Sequence, residues 1–228
     1  MPVIKNNTLR TILRFAIPPL LILLVLLSAI LQNGAHSYIY ASAAAALLSM
    51  LFFAAGYERK KTGARRLMIC AAMIALSVVG RFIPVFKPVT ALTIISAVYL
   101  GPEAGFLVGS MSALISDFYF GLGPWTPFQM LAWGLIGFAA GIVPRKVSVK
   151  RVFQLIYAAL SGIAFSLIMD TWTSIWLDDG FTPSVYMSTI VSSLPYMLIY
   201  MISNVIFILI CSKPIGEKLE RMKKKYGV

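Results

Sequence analysis

Read for the alternation of apolar and polar positions, the chain divides into eight apolar segments separated by short polar or basic links. The runs 15–31 and 194–210 contain no charged residue at all, and nowhere does the strict two-residue alternation of a half-buried strand persist. Segment one covers about 13–31, with Pro18 and Pro19 near its start, and segment two, rich in alanine, about 38–57. Segment three covers about 67–82. Segment four, about 90–100, is short for a membrane span and is expected to be tilted, extended or buried in protein. Segment five continues from the Gly101-Pro102-Glu103 turn to about Asp117. Segment six covers about 126–142 and is stopped by Pro144, segment seven covers about 152–177, and segment eight about 187–211.

Composition turns this pattern into a class. Of the 228 residues, 59% are hydrophobic and 12% charged, whereas a soluble domain is about a quarter charged. The expected fold is all-α: a polytopic membrane protein with a two-helix N-terminal hairpin (1–58), a basic link (59–66), a six-helix unit (67–212) and a basic tail (213–228). The basic start and long apolar run are read as an uncleaved helix, since no small-x-small cleavage site follows.

The net charge of +12 would suit nucleic acid, but its placement does not. Eighteen of the twenty Lys and Arg lie in four patches, 5–14, 59–66, 145–151 and 213–225, each flanking an apolar segment. Alternation puts all four on one side, so both termini are expected in the cytoplasm of a cell-membrane protein in contact with anionic lipid. Arg81 and Lys87 are the two exceptions. They either snorkel to the outer interface, or face a pocket there, or hold a loop by pairing with Asp117.

Candidate chemistry gathers at the outer half. The stretch Asp117 to Trp133 ends one apolar segment, turns through Gly and Pro, and starts the next. Trp125, Gln129 and Trp133 recur at four-residue spacing, one stripe of a helix. Two indoles and an amide beside an aromatic loop containing Tyr119 and Thr126 suit a small flat molecule. Asp170 is costly in a span and is expected to face water or protein, either in the pocket or paired with Arg81 or a tyrosine hydroxyl. Tyr196, Tyr200 and Asn204 share another stripe. The two tyrosines are candidates for pocket lining and Asn204 for interhelix hydrogen bonding.

Catalytic and metal motifs are poor. Gly109-Ser-Met-Ser112 lacks the elbow glycine, His36 is the only histidine, and Cys70 and Cys211 read as buried apolar groups. Asp178-Asp179-Gly180 reads as a solvated turn rather than a Mg²⁺ site, so no metal or cofactor is expected.

From about Leu67 to Cys211 the chain resembles the substrate-binding S components of energy-coupling factor (ECF) vitamin transporters. The resemblance rests on Ala71-x-x-x-Ala75, Gly80-Arg81, Phe86-Lys87-Pro88, Gly101-Pro102-x-x-Gly105, and Phe120-Gly-Leu-Gly-Pro-Trp-Thr-Pro-Phe-Gln-Met130 with Trp133-Gly134. The last motif looks like the subgroup associated with cobalamin or related vitamins. The resemblance implies a transport subunit without its own ATPase that binds a vitamin at its outer face. It implies docking through Ala71 and Ala75 onto a membrane coupling protein that carries two cytoplasmic ATPases. The N-terminal hairpin is an addition to the usual six helices. Two rival readings are an intramembrane enzyme acting on a lipid or isoprenoid through Asp117, Asp170, Asp178 and Asp179, and a membrane scaffold with no small ligand.

Overall fold

A computed structural model describes residues 7–30, 37–56, 63–178 and 181–226. The link around His36, the start of the chain and Asp179-Gly180 lie outside the described residues. Among those described, every regular element is a helix: α1 (Asn7–Ile30), α2 (Ser37–Gly56), α3 (Gly63–Gly80), α4 (Val89–Leu100), α5 (Pro102–Phe120), α6 (Thr126–Ile142), α7 (Arg145–Ser148), α8 (Arg151–Leu177) and α9 (Pro183–Tyr226). By length and apolar composition α8 and α9 each qualify as membrane spans, and α1, α2, α4 and α6 contain shorter apolar stretches.

Helix α4 explains its own shortness. Eleven of its 12 residues are buried, and it packs against α3, α5, α6, α8 and α9. Twelve residues rise about 18 Å, well short of the roughly 30 Å hydrocarbon core. It is therefore the central post of the bundle rather than a lipid-facing span. Gly101 ends it at φ 99°, a conformation that favours glycine, and Pro102 then opens α5.

Gly101, Gly105, Gly109 and Ala113 recur every four residues, and this small-residue ridge on α5 makes a backbone-to-backbone seam with α6. A Cβ on Gly105 would lie 2.7 Å from the Gly137 carbonyl oxygen, and one on Gly109 would lie 2.3 Å from the Trp133 carbonyl oxygen. Small residues permit this approach where lipid supplies no hydrophobic drive. The N-terminal hairpin packs on the same pair of helices: Phe52 of α2 sits edge-on to Phe106 of α5 at 5.3 Å and to Phe138 of α6 at 5.4 Å.

Segment eight differs from its expected bounds. Its helix does not end at Cys211 but runs through Pro195 and Pro214 to Tyr226. The tail from Lys213 is basic and polar in composition, yet it is amphipathic. Leu219 is buried in the core, Ile215 and Met222 pack against it, and Gly216 lies against the Tyr99 ring. Arg151 donates to the Leu209 carbonyl near Pro214, and the Ser212 hydroxyl donates to Gln154 of α8. Asn204 donates to the Ala158 carbonyl at 3.2 Å, the interhelix role expected of it.

Candidate functional site

The polar groups singled out in the sequence meet where α3 ends, α5 ends and α6 begins. Arg81 follows the last turn of α3, its N–H still bonded to the carbonyls of Ser77 and Val78. Its guanidinium Nη1 donates to Asp117 Oδ1 at 2.7 Å and to the Ser116 hydroxyl. Nη2 donates to Gln129 Oε1 at 3.3 Å. The Thr126 hydroxyl donates to the other Asp117 oxygen at 2.9 Å and accepts the Gly123 N–H at 3.2 Å. Arg81 and Asp117 are 8% and 1% exposed, so this is a buried ion pair rather than a snorkelling cation. Of the three readings of Arg81, pairing with Asp117 is the one observed. The guanidinium also lies 5.1 Å from the Phe120 ring centre and 5.3 Å from that of Trp133.

Trp133 is buried. Its indole N–H donates to Thr90 at 3.2 Å and its ring stacks on Phe165 at 4.9 Å, with Tyr200 edge-on to the same phenyl. Trp125, half-buried at the start of α6, stands edge-on to Trp172, which stacks on Trp176. Gly123 lets that indole lie where a side chain would be, since a Cβ there would come within 2.4 Å of it. Tyr119 is exposed and forms an aromatic patch with Phe82 and Phe120.

Lys87 is held by its backbone. Its N–H donates to the Ser203 hydroxyl at 2.9 Å, and that hydroxyl donates to the Lys87 carbonyl at 3.2 Å. Burial holds the Lys87 ammonium below the ordinary lysine range, Arg81 lowers it further, and Asp117 partly offsets both. Among the described residues Asp117 forms its ion pair with Arg81, not with Lys87. The preceding link turns at Val85, whose φ of 66° and Phe86 N–H to Pro84 carbonyl bond make a strained γ-turn.

Asp170 takes neither partner expected of it. It accepts the Ser193 hydroxyl at 2.7 Å, and the Thr189 hydroxyl donates to its backbone carbonyl at 3.5 Å. Tyr196, 66% exposed, stays outside these contacts. The sequence reading missed Ser116, Thr90, Phe165, Ser193 and Ser203. The signal for Ser193 was its four-residue spacing from Thr189 on the helix facing Asp170. Among the described residues no three of the His, Cys, Asp and Glu side chains form a group able to hold a metal ion.

On α3 the opposite pattern holds: Ala71 and Ala75 are exposed, while Cys70, Met73, Ile74 and Ser77 turn inward. The family model of the ECF-type riboflavin transporter S component matches residues 61–221, from α3 through most of α9. The chain belongs to this ECF S-component family. It is a membrane transport subunit for vitamin uptake, not an enzyme, and it works with ECF coupling components. The chain is also 25% identical over 147 residues to a UPF0397 protein of Aliivibrio fischeri strain MJ11, covering 60% of this chain and 77% of that protein. A UPF0397 protein of strain ATCC 700601 / ES114 matches to the same extent. No solved structure matches significantly. The S-component match begins after α2, so the hairpin lies outside the matched region.

Proposed function

We propose that this S component captures a vitamin at the Arg81 end of its bundle, facing outward. Eight membrane segments with both termini in the cytoplasm, at the cell membrane, fit the four basic patches. The observation that carries the reading is convergence. Ends of α3, α5, α6, α8 and α9 bring cationic, amide, carboxylate and indole groups to one end of the bundle, within the matched residues. Trp125 offers a ring to stack on, Gln129 and Asp170 offer hydrogen bonds, and Lys87 meets an anionic or carbonyl edge. Trp133, Thr126 and Tyr200 shape the floor, and Tyr119 and Tyr196 the rim. Riboflavin is the first ligand to test, because the family description names it, and its flat ring system suits an indole. Cobalamin is the second, on the Phe120–Met130 motif.

Stacking on an aromatic ring is worth on the order of 1–3 kcal/mol, so Trp125→Ala is expected to weaken binding at least several-fold. Gln129→Ala removes one hydrogen bond and an acceptor for Arg81. Titration of either vitamin into the purified proteins checks both, and unchanged affinity in the two variants rejects the site. The Lys87 contribution also has a pH signature. It is complete on the acid side of the lowered pKa and fades as pH rises through it, earlier than an ordinary lysine would discharge. Lys87→Met should abolish that alkaline limb of the affinity profile.

The exposed Ala71 and Ala75 support docking onto a membrane coupling protein that carries two ATPases, because small residues let a partner helix approach closely. Ala71→Trp is expected to prevent co-purification with the coupling subunits and to stop uptake while leaving vitamin binding intact. A normal complex would move the docking face elsewhere.

A further inference from the structure

Helices α6 and α8 meet through two aromatic rungs. In the first, Trp133 of α6 stacks on Phe165 of α8 at 4.9 Å. In the second, Trp125 at the start of α6 stands edge-on to Trp172 of α8 at 5.8 Å, with 79° between the ring planes. The spacings agree. Trp125 to Trp133 is eight residues, about 12 Å of helix, and Phe165 to Trp172 is seven, about 10.5 Å. Seven residues is close to two whole turns, so Phe165 and Trp172 share one face of α8, the face turned to α6. The ordinary reading of a tryptophan near the end of a span is a lipid-facing ring at the membrane interface. Trp172 departs from it. The ring is half-buried, packs against the hydrophobic core, and has Trp176 stacked on it at 6.0 Å.

Trp125 sits on the turn that leads into α6. Its six-membered ring lies over Gly123, whose N–H donates to Thr126, and Thr126 donates in turn to the buried Asp117. That arrangement fixes one side of the indole from within its own turn. Trp172 meets the indole from a different helix. From this geometry we infer that Trp172 is a positioning residue for vitamin binding: it sets the plane in which the Trp125 ring is presented. The inference rests on the stacking of the vitamin on Trp125 proposed above, and it adds a residue from α8 to that site. A ring held in one plane before the ligand arrives gives up less freedom on binding. Trp172 thus raises affinity without touching the ligand. An edge-to-face aromatic pair is worth on the order of 2- to 12-fold, which bounds the expected effect.

The test uses the full chain in detergent, labelled with fluorotryptophan. Its four tryptophans give four fluorine resonances, assigned by single Trp→Phe variants. Without vitamin, Trp172→Leu is expected to give Trp125 more than one resonance. Trp133, held by Thr90 and Phe165, should keep a single one. Riboflavin and then cobalamin are titrated into the same preparations. Trp172→Leu should weaken binding roughly 5-fold, and Trp172→Phe, which keeps an aromatic edge, should restore most of the affinity. In a Trp125→Ala background, Trp172→Leu should add no further loss, because the two residues act as one unit. A single Trp125 resonance in the Trp172→Leu protein overturns the proposal, and so does unchanged affinity. An equal further loss in the Trp125→Ala background overturns it too, since Trp172 would then be a contact in its own right. If gel filtration shows Trp172→Leu to be unfolded, Trp172→Met, which also lacks a ring, takes its place. If neither vitamin binds the wild-type chain, the outer-site reading fails by itself, and the Trp125 resonance alone decides whether Trp172 fixes the ring.

Discussion

Asp117→Ala is expected to cost the protein about 3–5 kcal/mol of stability, the usual penalty for stranding one member of a buried ion pair. The partner left behind is Arg81, 8% exposed, with no other carboxylate bonded to it among the described residues. The Thr126 hydroxyl would lose its acceptor at the same time. Thermal or denaturant unfolding of the purified protein in detergent measures the effect, and a loss below about 1 kcal/mol would mean that the pair does not hold this end together. Replacing both members, Arg81→Met with Asp117→Leu, is expected to recover most of the loss, because removing a whole buried pair is often neutral. The double variant should nonetheless bind vitamin poorly, since Gln129 loses the group that orients it. Stability and affinity would then part company in one protein, which a purely structural pair would not allow.

The second large effect belongs to the seam between α5 and α6. A Cβ at Gly137 would sit 2.3 Å from the Gly105 carbonyl oxygen and 2.5 Å from its carbon. Those atoms are backbone and cannot rotate aside. Overpacking of a well-filled core costs about 1–3 kcal/mol and sometimes more, and Gly137→Ala should lie at the upper end or beyond. Gly105→Ala is expected to be as damaging, with its Cβ 2.7 Å from the Gly137 carbonyl oxygen of α6 and 2.4 Å from the Cβ of Ala97 on α4. Because either change must push the same two helices apart, the double variant should lose clearly less than the sum. Additive losses would show that the two contacts relax independently.

Much of the bundle was legible from apolar runs and turn residues. Segment six was expected over the residues α6 occupies, because Pro127 near its start and Pro144 just past its end punctuate it. The Gly101-Pro102 turn was equally plain. What composition could not show was amphipathicity carried across a proline. Pro214 and the lysines after it read as an end, yet Leu219 and Met222 recur at helical spacing and find a core. At the site, Arg81 and Asp117 were visible as misplaced charges, and their pairing was one of several readings. Choosing among them needed the contact between residues 36 apart, which no local pattern encodes. Asp170 fared worse because a serine hydroxyl leaves no charge signature in the sequence, and Ser193 is one of several serines on its helix.

The hairpin bears on how this protein can be handled. Phe52 closes over Phe106 and Phe138, and Phe106 in turn covers Gly134 on α6, the helix that begins at the Arg81 end. A laboratory trimming the gene to the family-matched stretch would strip two phenyl rings of their cover along the close-packed α5–α6 seam. The trimmed product should come out of detergent as clumps. A gene that keeps residues 7–56 is the better starting material for crystallisation or uptake work.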